Sequence, residues 1–367
     1  MKKVLHIIAG MNAGGMETMI MNYYRNIDRN KYSFDFLINE PDKCFYEDEI
    51  KTLGGTIYRV PFQRENILKN HTMVKEIIKK NKYDVIHEHQ GITYYYPLKC
   101  AKEFGVKNRI VHNHGINRKF LNYLKLYNNL FARKRICSLA NNYIACSDDV
   151  ANHIFTDKIV KEKKYTVLPN AIDVKKYVFN EKNRKKVRDE LVITDEKVFI
   201  HIGTFTEPKN HAFLVKIFDE YLKTSKTNDK LLLIGEGPLK ENIKQIVHDK
   251  NLENNIIFLG IKNNVHEYLS CADIMLFPSL YEGIPLTAIE CQAAGLILLG
   301  SNNIDKATAV SNLMKFISLD DEKHWLELMK TDCLDAKTRE KYNDVIYKSK
   351  YSIDENVKVL ESLYDKF

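Results

Sequence analysis

The segment spanning residues 278–290 carries two glutamates, Glu282 and Glu290, separated by seven residues. A carboxylate can accept hydrogen bonds from two hydroxyl groups, the pattern that a ribose or a hexose offers. Pro285 suits the first turn of a helix, and the free N–H groups at that helix start could meet a diphosphate. A solvated helix face is the alternative for Glu290, but its sequence neighbours are apolar. The candidate binding residues here are Glu282, Gly283, Ile284, Pro285, Leu286 and Glu290.

A lysine follows a glycine turn in the segment 203–210. The pattern predicts that Lys209 lies at the start of a helix, where a positive charge disfavours the helix. An anionic ligand at Lys209 would explain that placement, and an exposed lysine without a ligand is the alternative. Gly203 and Thr204 lie in the same turn. Gly235, in the sequence Gly-Glu-Gly-Pro, marks a second turn that could line the same site.

Two adjacent glycines, Gly14 and Gly15, follow the first apolar run of the chain. Glycine lets the backbone approach a ligand closely, and the N–H groups of a following helix favour a phosphate. The segment is not a complete Gly-x-Gly-x-x-Gly fingerprint, so a dinucleotide site is weakly supported. A tight strand-to-helix turn without a ligand is the alternative.

Histidines cluster after two further apolar runs, as His87-Glu88-His89 and His112-Asn113-His114. They lack the His-Glu-x-x-His spacing of a helical zinc site, and we expect no metal. A neutral imidazole can instead bond a sugar hydroxyl or a developing charge. His114 is the candidate for that role, and a structural role is the alternative for the others.

Apolar, β-branched runs alternate with longer helical patterns, which predicts an α/β protein with mainly parallel sheets. The predicted strands of the first half are Val4–Ile8, Phe34–Ile38, Thr56–Val60, Val85–His87, Arg109–His112, Tyr143–Cys146 and Thr166–Leu168. Those of the second half are Val198–Ile202, Lys230–Ile234, Ile256–Leu259, Ile274–Phe277 and Ile297–Leu299. We expect two doubly wound domains facing each other across a cleft, with ligands at the carboxyl ends of the strands.

A chain of 367 residues exceeds the roughly 250–300 residues at which a single core stops growing. The charged, apolar-poor segment 173–196 predicts a linker near residues 170–195. Residues 1–170 would form the first Rossmann-like domain and residues 190–345 the second. The tail has a helical pattern and no strand partner, so we expect about 345–367 to pack back onto the first domain.

The composition is that of an ordinary globular protein, with 44% apolar and 28% charged residues. The seven cysteines are scattered and include no Cys-x-x-Cys pair, which predicts reduced thiols rather than disulfides or a zinc site. The first apolar run is short, contains His6 and leads into a glycine turn, so we expect a strand rather than a signal peptide. No run reaches the roughly 18 apolar residues of a membrane span. The net charge of +8 favours an acidic partner without selecting one.

In this order, the segments resemble the retaining family 4 glycosyltransferases of the GT-B fold, especially bacterial capsule and exopolysaccharide enzymes. The matching pieces are Gly14-Gly15-Met16-Glu17, the His-x-His ending at His114, Lys209-Asn210, Gly235-Glu236-Gly237-Pro238, and Glu282 with Glu290. They span nearly the whole chain, and the two glutamates with their Glu-Gly-x-Pro-Leu core are the most specific part. The resemblance implies that the first domain binds the acceptor and the second binds the nucleotide-sugar.

The resemblance also implies roles for the candidate residues. His114 would contact the transferred sugar, Lys209 would grip the diphosphate and Glu282 would hold the sugar hydroxyls, so these three are the catalytic candidates. The donor-binding candidates are Gly14, Gly15, Gly203, Thr204, Lys209, Gly235, Ile261, Gly283, Ile284, Pro285, Leu286 and Glu290. Among them, Gly15 would approach the donor phosphate or the acceptor, Glu290 the ribose and Ile261 the base.

No metal or other cofactor is expected, because the chain contains no Asp-x-Asp motif. Lys209 and helix ends would then meet the diphosphate charge. One departure from the family pattern is Thr204, since a basic residue, commonly arginine, usually follows the glycine that Gly203 matches. Losing such a contact can cost on the order of 3 kcal/mol of transition-state stabilisation. A smaller departure is Leu296-Ile297, where the family often has a proline.

Residues 118–136 combine basic and apolar side chains at helical spacing. The pattern predicts either a helix that lies on an anionic membrane or an ordinary domain helix with one solvated face. The resemblance favours the membrane, because acceptors in this family are often lipid-linked oligosaccharides. We therefore expect a cytoplasmic protein at the inner face of the plasma membrane. A nucleic-acid partner is not expected, because the basic residues lack a recognisable binding module.

The predicted activity is transfer of a hexose or N-acetylhexosamine from a nucleotide-sugar, chiefly a UDP-sugar, to a growing and lipid-linked surface glycan. Retention of configuration is implied by the resemblance alone. One alternative is a nucleotide-sugar epimerase, and another is a glycogen-type phosphorylase, for which no pyridoxal-anchoring lysine stands out. A third is a non-catalytic partner of a true transferase, which Thr204 keeps open.

Overall fold

The computed structural model describes residues 1–91, 94–115 and 123–367. Within these ranges the chain forms two compact units. The first comprises Met1–Ala171 together with Ile353–Phe367, and the second comprises Ile172–Ser352. Each unit is built on its own parallel sheet, so the predicted doubly wound α/β architecture is confirmed.

The described part of the first unit contains a seven-stranded sheet in the order β3-β2-β1-β4-β5-β6-β7. The strands are β1 (Lys2–Ile8), β2 (Tyr32–Ile38), β3 (Ile57–Arg59), β4 (Val85–Glu88), β5 (Asn108–Asn113), β6 (Asn142–Ala145) and β7 (Thr166–Val167). All of these pairings are parallel. Residues 4–8 of β1 form a continuous buried run, apolar except for His6, because helices cover both faces of such a sheet. The strand order reverses between β1 and β4.

Helices connect the parallel strands of this unit. They are α1 (Gly15–Asn26), α2 (Glu47–Thr52), α3 (Ile67–Asn81), α4 (Tyr96–Glu103), α5 (Tyr123–Leu139), α6 (Asp148–Ile154) and α7 (Asp157–Lys161). Local sequence fixes several starts. The side chain of Asn66 accepts a hydrogen bond from the N–H of Lys69 at the start of α3, and Ser147 does the same for Val150 in α6.

The second unit contains a six-stranded parallel sheet in the order β10-β9-β8-β11-β12-β13. Its strands are β8 (Val198–Ile202), β9 (Lys230–Ile234), β10 (Ile256–Gly260), β11 (Ile274–Phe277), β12 (Ile297–Ser301) and β13 (Met314–Ile317). Its helices are α8 (Glu181–Glu190), α9 (His211–Ser225), α10 (Lys240–Asp249), α11 (Val265–Cys271), α12 (Leu286–Ala293), α13 (Glu322–Met329) and α14 (Ala336–Tyr347). The order reverses between β8 and β11, and Trp325 is fully buried in the hydrophobic core of this unit.

The linker predicted near residues 170–195 is wrong, because this segment is folded into the second unit. Val187, in α8, is fully buried. Arg184 donates to the carboxylate of Asp273 at 2.8 Å and to the carbonyl of Cys271 at 2.7 Å. The basic run of α8 is therefore the outer face of a packed helix. The second unit begins at Ile172 rather than near residue 190 and extends to Ser352 rather than 345.

The chain returns to the first unit through its last helix, α15 (Ile353–Asp365). Leu360, Leu363 and Tyr364 are buried against the sheet. The helix is tied down at its end, where the amide of Asn108 donates to the carbonyl of Leu363 at 2.8 Å. Residues 353–367 thus complete the core of a unit whose other strands and helices all lie before residue 172.

The basic segment 118–136 is described only in part. Residues 118–122 lie outside the described ranges, and α5 begins at Tyr123. None of the helices in the described part of the chain is long and apolar enough to cross a bilayer.

We predict that Leu360→Ala destabilises the first unit by about 2–5 kcal/mol, because it leaves a cavity under α15. Val359→Ala, on the exposed side of the same helix, should change stability by no more than about 0.5 kcal/mol. Denaturant unfolding followed by circular dichroism reports on both units, whereas the fluorescence of the single tryptophan, Trp325, reports on the second. Equal losses of unfolding free energy in the two variants would contradict the packing of α15 against the first unit.

Candidate functional site

The loops that follow β8 and β11 meet at the point where the strand order of the second unit reverses. The amide of Asn210 donates to the carbonyl of Pro278 at 3.2 Å. The N–H of Leu280 donates to the carbonyl of Pro208 at 2.8 Å. In doubly wound sheets this crevice is where ligands bind, because connections leave it on opposite sides. The sequence-predicted residues Lys209 and Glu282 come from these two loops.

Lys209 and Glu282 form an ion pair between Nζ and Oε1. Their side chains are 17% and 18% exposed, so each charge offsets the cost of removing the other from water. The ammonium group also lies 5.0 Å from the ring centroid of Phe277. A side chain at Gly203 would meet the Lys209 chain, since its Cβ would be 3.2 Å from Cδ. The structure thus brings Gly203, Lys209 and Glu282 together.

The turns after β8 and β9 pack backbone against backbone, and this contact requires glycine. Gly235 has φ +147°, and a Cβ there would lie 2.0 Å from the carbonyl oxygen of Gly203. Gly237 has φ +156°, and its Cβ would lie 2.7 Å from the backbone nitrogen of Phe205. The Gly-Glu-Gly-Pro segment is therefore a close-approach turn that borders the Lys209 loop, in addition to the simple turn that the sequence indicates.

Thr204 lies exposed in the same loop, with its hydroxyl 3.4 Å from that of Thr206. A second cation, Lys240, belongs to the neighbouring segment of the fold. It pairs with Glu236 at 2.5 Å, and the carbonyl of Glu236 accepts a hydrogen bond from the N–H of Phe205 in this loop. Lys240 is 18% exposed. The loop itself offers the neutral side chain of Thr204 where the family pattern has a basic residue.

Glu290 lies inside α12 and is buried rather than on a solvated helix face. One carboxylate oxygen accepts a hydrogen bond of 2.7 Å from the hydroxyl of Tyr177. Burial raises the pKa of Glu290, while the bond from Tyr177 and the charge of Lys176 oppose that rise. A buried carboxylate held at one oxygen is a rigid acceptor for a further hydroxyl group.

The start of α12 is open to a ligand. A side chain at Gly283 would meet no atom within 4 Å. Pro285 occupies the N-cap without a side-chain hydrogen bond, and the first turn carries no acidic residue. The backbone of Ile284 and Leu286 continues this helix start, whose partial positive charge suits an anion. After β10, Ile261 is 45% exposed and presents a free apolar surface.

Five histidines share one face of the sheet in the first unit. His6 pairs in register with His87 across β1 and β4. His87 and His89 are two residues apart, as are His112 and His114, and alternation in a strand places such residues on the same side. His87 and His112 were expected at open strand ends. The structure places them in the core beneath α1 and α15, at 1% exposure each.

Hydrogen bonds join these imidazoles in two chains. His6 Nδ1 lies 3.0 Å from His89 Nε2, and His89 Nδ1 lies 2.8 Å from His114 Nε2. In the second chain the hydroxyl of Tyr364 lies 2.9 Å from His87 Nδ1, whose Nε2 lies 3.2 Å from His112 Nδ1. Burial lowers the pKa of His6 to about 3, and burial lowers that of His114 to about 4 against an opposing hydrogen bond with Asn170. The cluster is therefore neutral at pH 7.

The same histidines are the metal-competent group in the described part of the chain. Ring nitrogens of His6, His87 and His89 lie within 4.8 Å of one another, as do those of His89, His112 and His114. Neutral imidazole is a good ligand for zinc and copper. Most of the ring nitrogens, however, are already paired with another ring or with Tyr364, and Glu88 alternates to the opposite face of β4. The nitrogens His6 Nε2, His112 Nε2 and His114 Nδ1 have no partner among the described residues.

The glycines at the start of α1 differ from those of the second unit. A Cβ at Gly14 would lie 2.3 Å from a carboxylate oxygen of Glu17, whereas a Cβ at Gly15 would meet nothing within 4 Å. Glu17 therefore folds back over the start of its own helix, and burial raises the pKa of its carboxyl group. A carboxylate at this helix start competes with a phosphate and suits a hydroxyl group instead.

Sequence reasoning missed three partners of the candidate residues. Tyr177 holds Glu290, Asn210 joins the two loops that carry Lys209 and Glu282, and His6 begins the chain that ends at His114. The position of His6 inside the apolar run of β1 was a readable signal for the last. The other two depend on contacts between distant segments.

We predict that the first unit loses stability as the pH falls below about 6.5. The folded pKa values of His6 and His114, about 3 and about 4, lie below the unfolded value of about 6.5, so the unfolded chain takes up protons first. Each such histidine should cost about 1.4 kcal/mol per pH unit well below 6.5. Denaturant unfolding between pH 6.5 and 5 measures this slope.

His6→Phe should make that slope shallower, because it removes one buried imidazole between the rings of Phe34 and Phe36. His248→Gln is the matched control, since His248 is on the surface with a side chain 71% exposed. An unchanged slope in His6→Phe would contradict a neutral His6 in the folded protein.

Two family descriptions match the chain. Residues 13–176 match Glycosyltransferase Family 4, and residues 183–312 match Glycosyl transferases group 1. The chain is 32% identical to EpsF of Bacillus subtilis (strain 168), assigned as a glycosyltransferase, over 99% of this chain and 96% of the relative. It is 26% identical to the capsular polysaccharide biosynthesis glycosyltransferase CapH of Staphylococcus aureus, over 94% of each.

A more distant relative and a solved structure extend this similarity. The Escherichia coli UDP-Gal:alpha-D-GlcNAc-diphosphoundecaprenol alpha-1,3-galactosyltransferase is 22% identical over 82% of this chain and 79% of its own length. The crystal structure of Anabaena Alr3699/HepE in complex with UDP and glucose superposes with a TM-score of 0.78, at 12% identity and full coverage of both chains. At that identity the structure shows the fold. Because EpsF matches nearly end to end, the chain belongs to the family 4 glycosyltransferases of the GT-B fold.

Proposed function

We propose that this glycosyltransferase moves a hexose or N-acetylhexosamine from a UDP-sugar to a growing, lipid-linked surface glycan with retention of configuration. The observation that carries the proposal is the Lys209–Glu282 ion pair at the strand-order reversal of the second unit. A cation and a hydroxyl acceptor, held side by side in a ligand-binding crevice, match the two ends of a sugar diphosphate.

Lys209 and the open start of α12 would bind the diphosphate. The ammonium group supplies a full charge, and the N–H groups near Gly283 supply the partial charge of a helix N-terminus. As the bond from the anomeric carbon to the diphosphate oxygen breaks, negative charge grows on the leaving group. Charge placed there in advance lowers the barrier without a metal ion, so we propose metal-independent transfer.

The two glutamates would bind the two sugars of the donor. Glu282 faces the diphosphate cation and would accept hydrogen bonds from the transferred sugar. Glu290, fixed by Tyr177, would accept from the ribose. The exposed side chain of Ile261 would lie against the base. In this assignment Glu282, which pairs with Lys209, contacts the sugar that reacts. The buried Glu290 recognises the ribose of the nucleotide.

The first unit would supply the contacts to the acceptor and to the transferred sugar. His114 is neutral and bonded at Nε2, and its Nδ1 is buried without a hydrogen-bond partner among the described residues. We assign that nitrogen to a hydroxyl of the transferred sugar. Gly15 leaves open space at the start of α1, and Glu17 stands beside it. We assign this place to an acceptor hydroxyl rather than to a phosphate, because Glu17 repels anions.

The acceptor and the stereochemistry are proposed from the relatives. The E. coli relative is named for transfer from UDP-Gal to a diphosphoundecaprenol-linked sugar in an alpha-1,3 linkage. The Anabaena structure contains UDP and glucose. A lipid-linked acceptor would bring the enzyme to the inner face of the plasma membrane, with residues 118–136 as the proposed contact.

The proposal is tested by thermal shift with UDP, GDP and ADP and by sugar transfer, both in EDTA. We expect UDP to raise the melting temperature and UDP to be released only when an acceptor is supplied, which separates transfer from epimerisation. Lys209→Met should lower kcat/KM by about 100-fold or more. Glu282→Gln should do the same, because it also strands the Lys209 charge.

Lys216→Met is the matched control, since it breaks the exposed Lys216–Glu322 pair of the same unit. It should leave both nucleotide binding and transfer unchanged. Full transfer activity in Lys209→Met or Glu282→Gln would refute catalysis at this site. The absence of a shift with any nucleotide would favour the non-catalytic partner.

Thr204 generates a separate prediction. Thr204→Arg should tighten UDP binding by about tenfold, because a guanidinium group would add a charged hydrogen bond to the diphosphate. Thr204→Gln, of similar length and without charge, is the control and should bind as the parent does. Isothermal titration calorimetry measures both. An unchanged affinity in Thr204→Arg would mean that the diphosphate does not lie against this loop.

A further inference from the structure

The ring of His201 joins the two strands whose loops carry the site of the second unit. Its Nδ1 lies 2.8 Å from the carbonyl oxygen of Leu276, and the side chain is fully buried. Strands β8 and β11 are paired as far as Ile200 with Met275, so this hydrogen bond comes one residue beyond their last registered pair. It therefore lies at the strand ends, beneath the crevice between the two loops.

The bond to Leu276 fixes the tautomer of His201. A carbonyl oxygen only accepts hydrogen bonds, so Nδ1 must donate and must carry the ring proton. Burial, together with the neighbouring His211, holds the pKa of His201 well below its usual range, so the ring is neutral at pH 7. Nε2 then carries a lone pair. This nitrogen is buried and has no hydrogen-bond partner among the residues that the structure describes.

The Nε2 atom of His201 and the side chain of Lys209 approach the same point beside Gly203. A Cβ at Gly203 would lie 3.1 Å from Nε2, 3.2 Å from Lys209 Cδ and 3.3 Å from Lys209 Cε. Glycine leaves the space between the ring nitrogen and the lysine chain free. The ammonium group is one bond beyond Cε, so rotation about that last bond can bring it toward the lone pair of Nε2.

The charge of Lys209 suits this neighbour. An ammonium group has three protons to donate, and Lys209 gives one of them to Glu282. In a neutral imidazole with its proton on Nδ1, the Nε2 end is the negative end of the ring dipole and attracts a cation. The attraction is stronger here than in water, because both side chains are shielded from solvent.

We propose that His201 is a positioning residue for Lys209. Its Nδ1–H bond to Leu276 fixes the ring, and the lone pair on Nε2 holds the ammonium group in place while Glu282 and the diphosphate of the donor take its other protons. The contact with a diphosphate rests on the function proposed above. The placement of Lys209 by His201 does not, because it involves only side chains of this protein. When Glu282 no longer accepts from the ammonium group, that group should turn to His201 Nε2.

Two variants of His201 separate the lone pair from the bond between the strands. The amide of Asn takes the place of Nδ1 and can donate to Leu276, but it offers no acceptor where Nε2 was. The longer amide of Gln reaches the place of Nε2 and can accept from Lys209, but it loses the bond to Leu276. His201→Asn should therefore be the more stable variant, and His201→Gln should be the more active one.

Transfer kinetics and thermal denaturation of the full chain test this crossed pattern. We expect His201→Asn to lower kcat by about tenfold with little change in the KM of the acceptor, and His201→Gln to keep most of kcat while melting at the lower temperature. His248→Gln, on the surface of the same unit, is the control and should change neither quantity. Equal kcat values in the two His201 variants, or the lower value in His201→Gln, would overturn the positioning role.

Nitrogen NMR of the full chain, with isotope-labelled histidine and no substrate, tests the contact without relying on transfer. The spectrum of His201→Asn identifies the signals of His201. We expect the ring proton on Nδ1 in the parent. In Glu282→Gln, where Lys209 loses its carboxylate, we expect the Nε2 signal to move as that of a hydrogen-bond acceptor does. The double variant Glu282→Gln with Lys209→Met should lack this movement.

The NMR outcomes also separate this inference from the function on which its last step rests. A ring proton on Nε2 of His201 in the parent would overturn the placement of Lys209. So would an Nε2 signal that is the same in Glu282→Gln and in the double variant. If the NMR pattern holds while Lys209→Met keeps full transfer activity, the proposed function fails and the contact between His201 and Lys209 stands.

Discussion

The site of the second unit depends on one constraint of its sheet, the reversal of strand order between β8 and β11. There the crossovers leave on opposite sides, so the loops after these strands stay open beside each other. Lys209 and Glu282 enter from those loops, 73 residues apart in the chain, and meet as an ion pair. Both side chains can be more than four-fifths buried because each offsets the desolvation of the other. The strand order of the parallel sheet is therefore what brings the charges of Lys209 and Glu282 together.

The first unit uses the same edge of a parallel sheet with the opposite electrostatics. Its strand order reverses between β1 and β4, and the side chains gathered there are imidazoles that burial keeps neutral. Neutral groups can donate and accept hydrogen bonds without attracting or repelling a phosphate. The second unit offers charged side chains at its site, and the first unit offers neutral imidazoles. This difference fits the proposed division, in which the second unit binds the diphosphate of the nucleotide and the first binds sugar hydroxyls. The two sites differ in burial more than in topology.

Each strand predicted from the local sequence pattern is present in the structure. The pattern failed where contacts between distant segments decide the structure. The sequence pattern did not predict β13, because it is a four-residue edge strand interrupted by Lys315. The supposed linker around α8 has a charged sequence, yet its Arg184 finds Asp273, 89 residues away. A basic run is compatible with a solvated linker and with the outer face of a packed helix, and only the partner distinguishes them. Composition carries no information about a partner that distant.

The candidate residues show the same limit at finer scale. Lys209, Glu282 and Glu290 could each be named from the sequence, whereas the pairing of the first two and the bond from Tyr177 to the third arise from the fold. The histidines were visible as His-x-His pairs, but their neutral state depends on α15, which arrives some 250 residues after β5 and closes the face with Tyr364. A sequence motif therefore names the chemical group, and the cover that the fold places over it sets its protonation and the chemistry it can perform.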